Sequence, residues 1–313
     1  VIAVLCGGVG AARFLAGLVG VVDPAEVVAI VNTGDDTELH GLSISPDLDT
    51  ITYTLSGRVN PETGWGLAGD EFSTMDALDA LGGSTWFRLG NLDLATHLYR
   101  TGRLRQGATV TEVTAELARA FGLRLTLLPM SNEPVRTLLE LVDGGTVGFQ
   151  DYFVRLRHAV AVRAVRWPAA AAASPAPGVI EALTGARIII IAPSNPVVSI
   201  DPILAVPGIR EALRSRRERV VAISPIVAGA ALKGPADRLL TELGGSATAA
   251  GVAAWLADVV GVLVVDEADA DHAADVEAHG MTCVVTPTVM SDAEVAAGLA
   301  RTVLAAGGLT ELA

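Results

Sequence analysis

The sequence predicts an α/β fold built on a doubly wound, mostly parallel sheet, and three observations predict it. Six short runs rich in β-branched residues, "VIAVL", "VVAIVN", "RIIIIAP", "RVVAIS", "GVLVVD" and "MTCVVT", each end at a cluster of glycine, proline, asparagine or aspartate. Continuous apolar strands of that kind belong to a parallel sheet covered on both faces by helices. Helical patterns fall between them, and in "VIAVLCGGVGAARFLAGL" the first strand passes through a glycine-rich turn straight into a helix. The pattern reads as one Rossmann-like domain over residues 1–313, with an α+β subdomain inserted at about 50–178.

Helices are expected over 71–81, 91–105, 111–121, 208–217, 235–243 and 292–306. Thr111 followed by Glu112 and Thr114, and Pro235 opening "PADRLL", supply ordinary N-terminal signals. The middle of the chain departs from the parallel rhythm. "TLLELVDGGTVGFQDYFVRL" reads as two strands around an Asp143-Gly144-Gly145 turn, and "AVAVRAVRW" alternates like a third, half-exposed strand. The one low-complexity piece, Pro168 to Gly178, reads as a mobile surface loop because its prolines oppose a helix.

At 313 residues the chain can bury a full core without stapling. Apolar residues make up 51% and mean hydropathy is +0.48, yet the most apolar runs are of strand length and fall short of a membrane-spanning helix. The opening residues lack a basic region of the signal-peptide kind, so a soluble cytoplasmic protein with no membrane partner is expected. Cys6 and Cys283 lie on separate strand patterns and read as buried thiols, not as a disulfide or a zinc site. A net charge of −13 disfavours nucleic acid and anionic membranes, which call for a basic face. The single lysine is Lys233.

Gly7, Gly8 and Gly10 let the backbone approach a phosphate, and the helix behind them aims free N–H groups and its positive dipole end at it. The register departs from the dinucleotide fingerprint, with Arg13 where its third glycine would stand, and a tight βα turn without ligand is the alternative. Arg13 favours the ligand, as a cation one turn into the helix. After the second strand, Val31 to Thr50 carries Asp35, Asp36, Glu38, Asp47 and Asp49 with no lysine or arginine. In extended backbone Asp47 and Asp49 share one face and Leu48 turns inward. Carboxylates converging beside an anion loop make sense around Mg²⁺, which one or two of them commonly hold together with phosphate oxygens. In "WFRLGNLDLATHLYR", Trp86, Phe87 and Arg88 can cradle a flat ring or serve as core, and His97 reads as structural. Ser194 and Asn195 follow a strand end, where they either read a base or ribose or make a plain turn.

Together "GGVGAARFLAGL", "VNTGDD", "ISPDLDT", "WFRLGNLDLATH", "LLPMSN", "FQDYFV", "PSNPVVSIDPIL" and "AISPIVAGAALKGPAD" resemble, in that order, the 2-phospho-L-lactate transferase / phosphoenolpyruvate transferase family (CofD/FbiA) of coenzyme F420 biosynthesis. The resemblance implies Mg²⁺-dependent transfer of a phosphorylated three-carbon acid unit from a guanosine diphosphate conjugate to the ribityl hydroxyl of the deazaflavin Fo, releasing GMP. It matches the Fo-binding positions to Asp49 and Arg88. The nucleotide falls to the glycine turn with Gly7, Gly8, Gly10, Arg13 and Asn32, and to Ser194 and Asn195. Asp35 is the first expected metal ligand, with Asp36 and Asp47 beside it, and Asp35 or Asp49 is the expected catalytic carboxylate. Bacterial members resemble enzymes using the enolpyruvyl donor, and family members resemble homodimers. Asn91 and Asn132 depart from the family pattern, where aspartates are common. A related family of gluconeogenesis regulators, nucleotide-sugar binders sharing the glycine loop, is the competing resemblance; it lacks "SPDLDT", "DLATH" and "FQDYFV".

Overall fold

Four consecutive isoleucines, Ile188–Ile191, are all buried, because successive strand side chains point to opposite faces and both faces are covered. Ile188 and Ile190 join one apolar core, Ile189 and Ile191 the other. The computed structural model that shows this describes residues 1–309, so 310–313 of the expected span lie outside the description.

Along the chain, β1 (Ile2–Cys6) enters α1 (Gly8–Val19), and β2 (Val27–Val31) leads to a hairpin of β3 (Thr37–Leu39) and β4 (Leu42–Ile44). Helices α2 (Pro46–Leu55), α3 (Ser73–Ala80), α4 (Asn91–Arg105) and α5 (Val110–Ala120) precede β5 (Thr126–Pro129). An antiparallel sheet of order β7-β6-β8 follows, from β6 (Leu138–Leu141), β7 (Thr146–Gly148) and β8 (Val162–Arg166). Next come α6 (Val179–Gly185), β9 (Ile188–Ile191), α7 (Asp201–Ala205), α8 (Ile209–Arg214) and β10 (Val220–Ile223). The rest is a short hairpin of β11 (Ile226–Val227) and β12 (Ala230–Ala231), then α9 (Ala236–Glu242), α10 (Ala249–Leu256), β13 (Val262–Val265), α11 (Ala273–Glu277), β14 (Thr282–Val285) and α12 (Ala293–Ala306).

The central sheet has the order β14-β13-β10-β9-β1-β2-β5, and every neighbouring pair is parallel. From β1 the chain steps outward through β2 to β5, then returns to β9 on the other side of β1 and steps outward again. The two directions part between β1 and β9, and a crevice at the carboxyl ends of such a pair is where doubly wound sheets bind ligands.

The six apolar runs all became central strands. The seventh, β5, is a four-residue edge strand ending at Pro129, too short to stand out by pattern. It lies within 50–178, so that stretch is not separate from the central sheet. Residues 168–178 run along the surface as their prolines suggest, with six of the eleven exposed, but the segment is anchored. Ala170, Ala173 and Ala176 are buried in the core, and Ala176 donates its N–H to the Met130 carbonyl. Methyl groups lose no rotamer freedom on burial, which is how a proline-rich segment packs at low entropic cost. "FQDYFV" does not continue strand β7 either; it forms a wide helical turn, Asp151–Arg155, that buries Tyr152. Among the described residues no helix is long and apolar enough to cross a membrane.

Helices α1 and α12 cross at Gly17, where an added Cβ would lie 2.5 Å from the Ala296 backbone, whereas Gly298 on α12 has open space. Gly17→Ala should therefore destabilise the fold by about 1–3 kcal/mol through overpacking. Gly298→Ala should stabilise it by up to about 1 kcal/mol through helix propensity. Denaturant unfolding of the two variants checks this, and equal shifts would refute the packing argument.

Candidate active site

Asn32 directly follows β2 and is fully buried, with its N–H donating to the Cys6 carbonyl. Its side-chain Nδ2 reaches Asp47 Oδ2 at 2.9 Å, Asp35 Oδ1 at 3.1 Å and the Val198 carbonyl at 3.3 Å, while its Oδ1 accepts from Gly34 N–H. One amide thus draws two carboxylates together at the sheet edge. Asp47 Oδ1 in turn accepts the Gly8 N–H at 2.8 Å, so the start of α1 meets a carboxylate of its own chain. A Cβ at Gly7 would lie 2.5 Å from Asp47 Oδ2, and one at Gly10 would lie 2.6 Å from the Pro193 carbonyl. These two glycines are required by close approach of the protein itself. Ser194 Oγ accepts from Gly7 N–H and donates to the Gly7 carbonyl, which ties the end of β9 to the glycine turn.

The expected extended backbone at Asp47 and Asp49 is not observed. Pro46 opens α2, and both aspartates fall in its first turn, where the helix dipole favours them. Two residues along a helix turn the side chain by roughly 200°. Asp47 accordingly faces the glycine turn and Asp49 faces α4. Arg100 donates to both Asp49 oxygens and to His97 Nδ1, the latter at 3.1 Å. Receiving that bond places the His97 proton on Nε2, 3.2 Å from Asp93 Oδ2 but outside hydrogen-bond geometry, and Tyr53 donates to Asp93 Oδ1 at 2.7 Å. Asp93, His97 and Arg100 share a face of α4 by their i, i+4, i+7 spacing. Among the described residues, Asp49, Asp93 and His97 are the only three ligating side chains with atoms all within 4.8 Å of one another. Arg100 places a positive charge beside this group and donates to both Asp49 oxygens, so the group is a buried ion-pair network, while its ligating atoms are close enough to hold a metal ion and His97 Nε2 has no partner.

Asp36 accepts from Ser45 Oγ, and its Oδ1 is buried without a partner. Burial raises the proton affinity of Asp35 well above the usual carboxylate range, with the Asp47 charge adding to it. Burial likewise pushes Asp36 up to about 8 and Asp47 to about 6, although Asn32 and Gly8 bonds hold Asp47 down. Asp35 and Asp47 are therefore brought together, Asp36 stands nearer Ser45, and Glu38 is exposed. Asp36 Oδ1 is the orphaned oxygen of this group, and the ligating atoms of Asp35, Asp36 and Asp47 do not all lie within 4.8 Å of one another; carboxylate oxygens are the donors a hard cation takes.

On the other side of the glycine turn, Val9, Gly10, Arg13, Asn195, Ser224, Lys233 and Thr288 line a cleft of about 120 Å³. Asn195 Oδ1 caps the helical turn Pro196–Ile200, accepting from Val197 and Val198 N–H groups. Neither Arg13 nor Lys233 makes an ion pair among the described residues. Partial burial and the Arg13 charge lower the Lys233 proton affinity. Arg88 is not joined to Asp49 by any contact; it is exposed, pairs with Asp76 and lies over the Phe72 ring at 5.0 Å. Phe87 packs on a small core with Ile44, Met75 and Leu89. Sequence reading assigned no role to Arg100 or Lys233, although the helical spacing signalled the first and its being the sole lysine marked the second. Asn91 and Asn132 brace helix starts, Asn91 by bonds to Ser73 and Thr74 and Asn132 by bonds from Thr111. A larger groove of about 490 Å³ between α2, α4 and α5, lined by Leu67, Leu92, Leu117 and Phe121, contains none of these carboxylates.

A protein-family model described as 2-phospho-L-lactate transferase CofD matches residues 2–297. A Kitasatospora aureofaciens protein named phosphoenolpyruvate transferase is 45% identical over 97% of both chains. A Methanosarcina mazei protein named 2-phospho-L-lactate transferase is 36% identical over 97% of this chain and 99% of its own. A solved Bacillus halodurans structure of the UPF0052 family is similar with a TM-score of 0.64 at 20% identity, covering 97% of this chain and 98% of its own, which shows the shared fold. The chain belongs to the 2-phospho-L-lactate transferase CofD family.

Proposed function

We propose that the chain transfers a phosphoenolpyruvyl group, or its 2-phospho-L-lactyl counterpart, from the diphospho-5'-guanosine conjugate to the ribityl hydroxyl of Fo, giving dehydro coenzyme F420-0 or F420-0 and GMP. The observation that carries this reading is the division of charge about one glycine turn. Asp35, Asp36 and Asp47 lie on one side and Arg13 and Lys233 on the other, none of them in an ion pair among the described residues. A diphosphate-linked donor suits that arrangement. Relatives named phosphoenolpyruvate transferase at 44–45% identity favour the enolpyruvyl donor. The family resemblance also supports a cytoplasmic homodimer.

In this reading Arg13 and Lys233 bind the diphosphate and Asn195 reads the nucleotide. Asn32 and Ser194, whose polar groups are engaged within the protein, position the turn. Asp49, fixed by Arg100, orients the acceptor together with Arg88. The terminal hydroxyl attacks the β-phosphorus in line, its proton passes to the carboxylate cluster at Asp35, and the bond from that phosphorus to the bridging oxygen breaks as GMP leaves with the oxygen. Asp35, Asp36 and Asp47 would hold Mg²⁺, which when bound supplies charge stabilisation for the phosphoryl oxygens.

Incubating the protein with Fo, Mg²⁺ and each donor, and following GMP and product mass, tests this directly. Product is expected from the enolpyruvyl donor, with Asp35→Asn lowering kcat by about 100-fold or more and Arg88→Ala raising the Fo KM about tenfold. Nucleotide binding without turnover of either donor would turn the reading toward a sensor.

The raised carboxylates also fix a pH dependence. Between the ordinary value near 3.8 and the raised values of about 6 and 8, the folded state binds protons that the unfolded state has released. Metal-free protein should therefore lose stability as pH rises through this window. A cation replaces those protons, so Mg²⁺ should raise the Tm more at pH 8 than at pH 5. Thermal unfolding with and without chelator reads both trends, and a Mg²⁺ effect independent of pH would remove these carboxylates from the metal site.

A further inference from the structure

The loop from Asn60 to Gly66 carries Trp65, 51% exposed, between Gly64 at φ +76° and Gly66 at φ +70°. Its base is pinned, because Val59 bridges Leu67 and Asn60 N–H donates to the Gly66 carbonyl at 3.0 Å. Its tip meets the basic cleft. Lys233 Nζ donates to the Thr63 carbonyl at 3.1 Å, and a Cβ at Gly64 would lie 3.0 Å from Val9 Cγ1 and 3.2 Å from Lys233 Nζ. Val9 and Lys233 both line that cleft. The other tryptophans are anchored: Trp167 bonds Thr137, Trp255 bonds Asp201, and Trp86 packs edge-on to Phe87 with Arg155 over its ring. The Trp65 indole has no hydrogen bond, aromatic pair or cation partner among the described residues.

We propose that Trp65 closes over the basic cleft and stacks on the purine base of the guanosine-linked donor, while Lys233 passes from the Thr63 carbonyl to the donor diphosphate. The inference rests on the donor reading above. A neutral carbonyl is a weaker partner for an ammonium than a phosphate oxygen, so an arriving diphosphate takes Lys233 and releases the loop tip. The left-handed glycines on either side of Trp65 absorb the backbone change that a bulkier residue would resist. An indole over a base then adds affinity that needs no base-specific contact.

Titrating the full chain with GDP, with tryptophan emission and calorimetry read in parallel, tests the inference. Wild-type emission should be quenched as GDP binds, and change less and without that quenching when inorganic diphosphate binds, since it releases the loop tip but offers no base to stack on. Trp65→Ala should weaken GDP about tenfold and abolish the quenching, with inorganic diphosphate affinity intact, while Trp65→Phe should stay within about threefold of wild type. Lys233→Met should weaken both probes. GDP binding without quenching, or unweakened GDP binding by Trp65→Ala, overturns the inference and leaves the donor reading standing. Failure of wild-type protein to bind GDP overturns both.

Discussion

The buried carboxamide of Asn32 is the contact on which the site depends. It draws Asp35 and Asp47 to one nitrogen, Asp47 reaches back to the first amide of α1, and the turn between β1 and α1 can come that close only through glycine. Ser194 fixes the same turn from β9. Both sides of the sheet's switch point are thereby locked to one loop. Hydrogen bonds to buried charges contribute about 1.5–3 kcal/mol each, and an abandoned carboxylate costs at least as much. The arrangement is stiff because every member would lose a partner if another moved.

Elsewhere many charges are paired. Arg210 and Arg214 converge on Asp258, Arg103 bonds Glu116, and Arg100 grips Asp49. Eleven of the 21 arginines make such ion pairs among the described residues, and ten, Arg13 among them, make none. Around the glycine turn Arg13, Lys233, Asp35, Asp36 and Asp47 make no ion pair among the described residues, although the Arg100 charge acts on Asp36. Separating like charges into two unbalanced groups destabilises the empty fold, and such a local cost is expected where a ligand supplies the missing charges.

Much of this was legible in the sequence, for reasons that differ by element. Parallel strands buried on both faces need unbroken apolar runs, so six of seven announced themselves. Edge strand β5 has little pattern to show. The anchoring of 168–178 by three alanines went unseen because proline content speaks to local conformation and not to burial. Asp47 and Asp49 were misplaced although the signal was present, since Ser45-Pro46 followed by two acids is a helix start as much as an extended segment. The grip of Arg100 on Asp49 follows from helical spacing once α4 is known, but the contact of Lys233 with Thr63 spans 170 residues and has no local signature.

The glycine turn itself carries the wider lesson. Gly7 and Gly10 are explained by Asp47 and Pro193, and the Gly8 amide is already engaged, so glycine content alone does not make this a phosphate cradle. That accounts for the departure from the dinucleotide fingerprint. A fingerprint glycine at position 13 would serve close helix packing against the strand; Arg13 stands there and lines the cleft instead. In the proposed reading, attraction for an anion would come from side chains on separate elements, Arg13 on α1 and Lys233 after β12. The backbone turn holds Asp47 beside the start of α1, which in that reading would bring the carboxylates within reach of the same ligand.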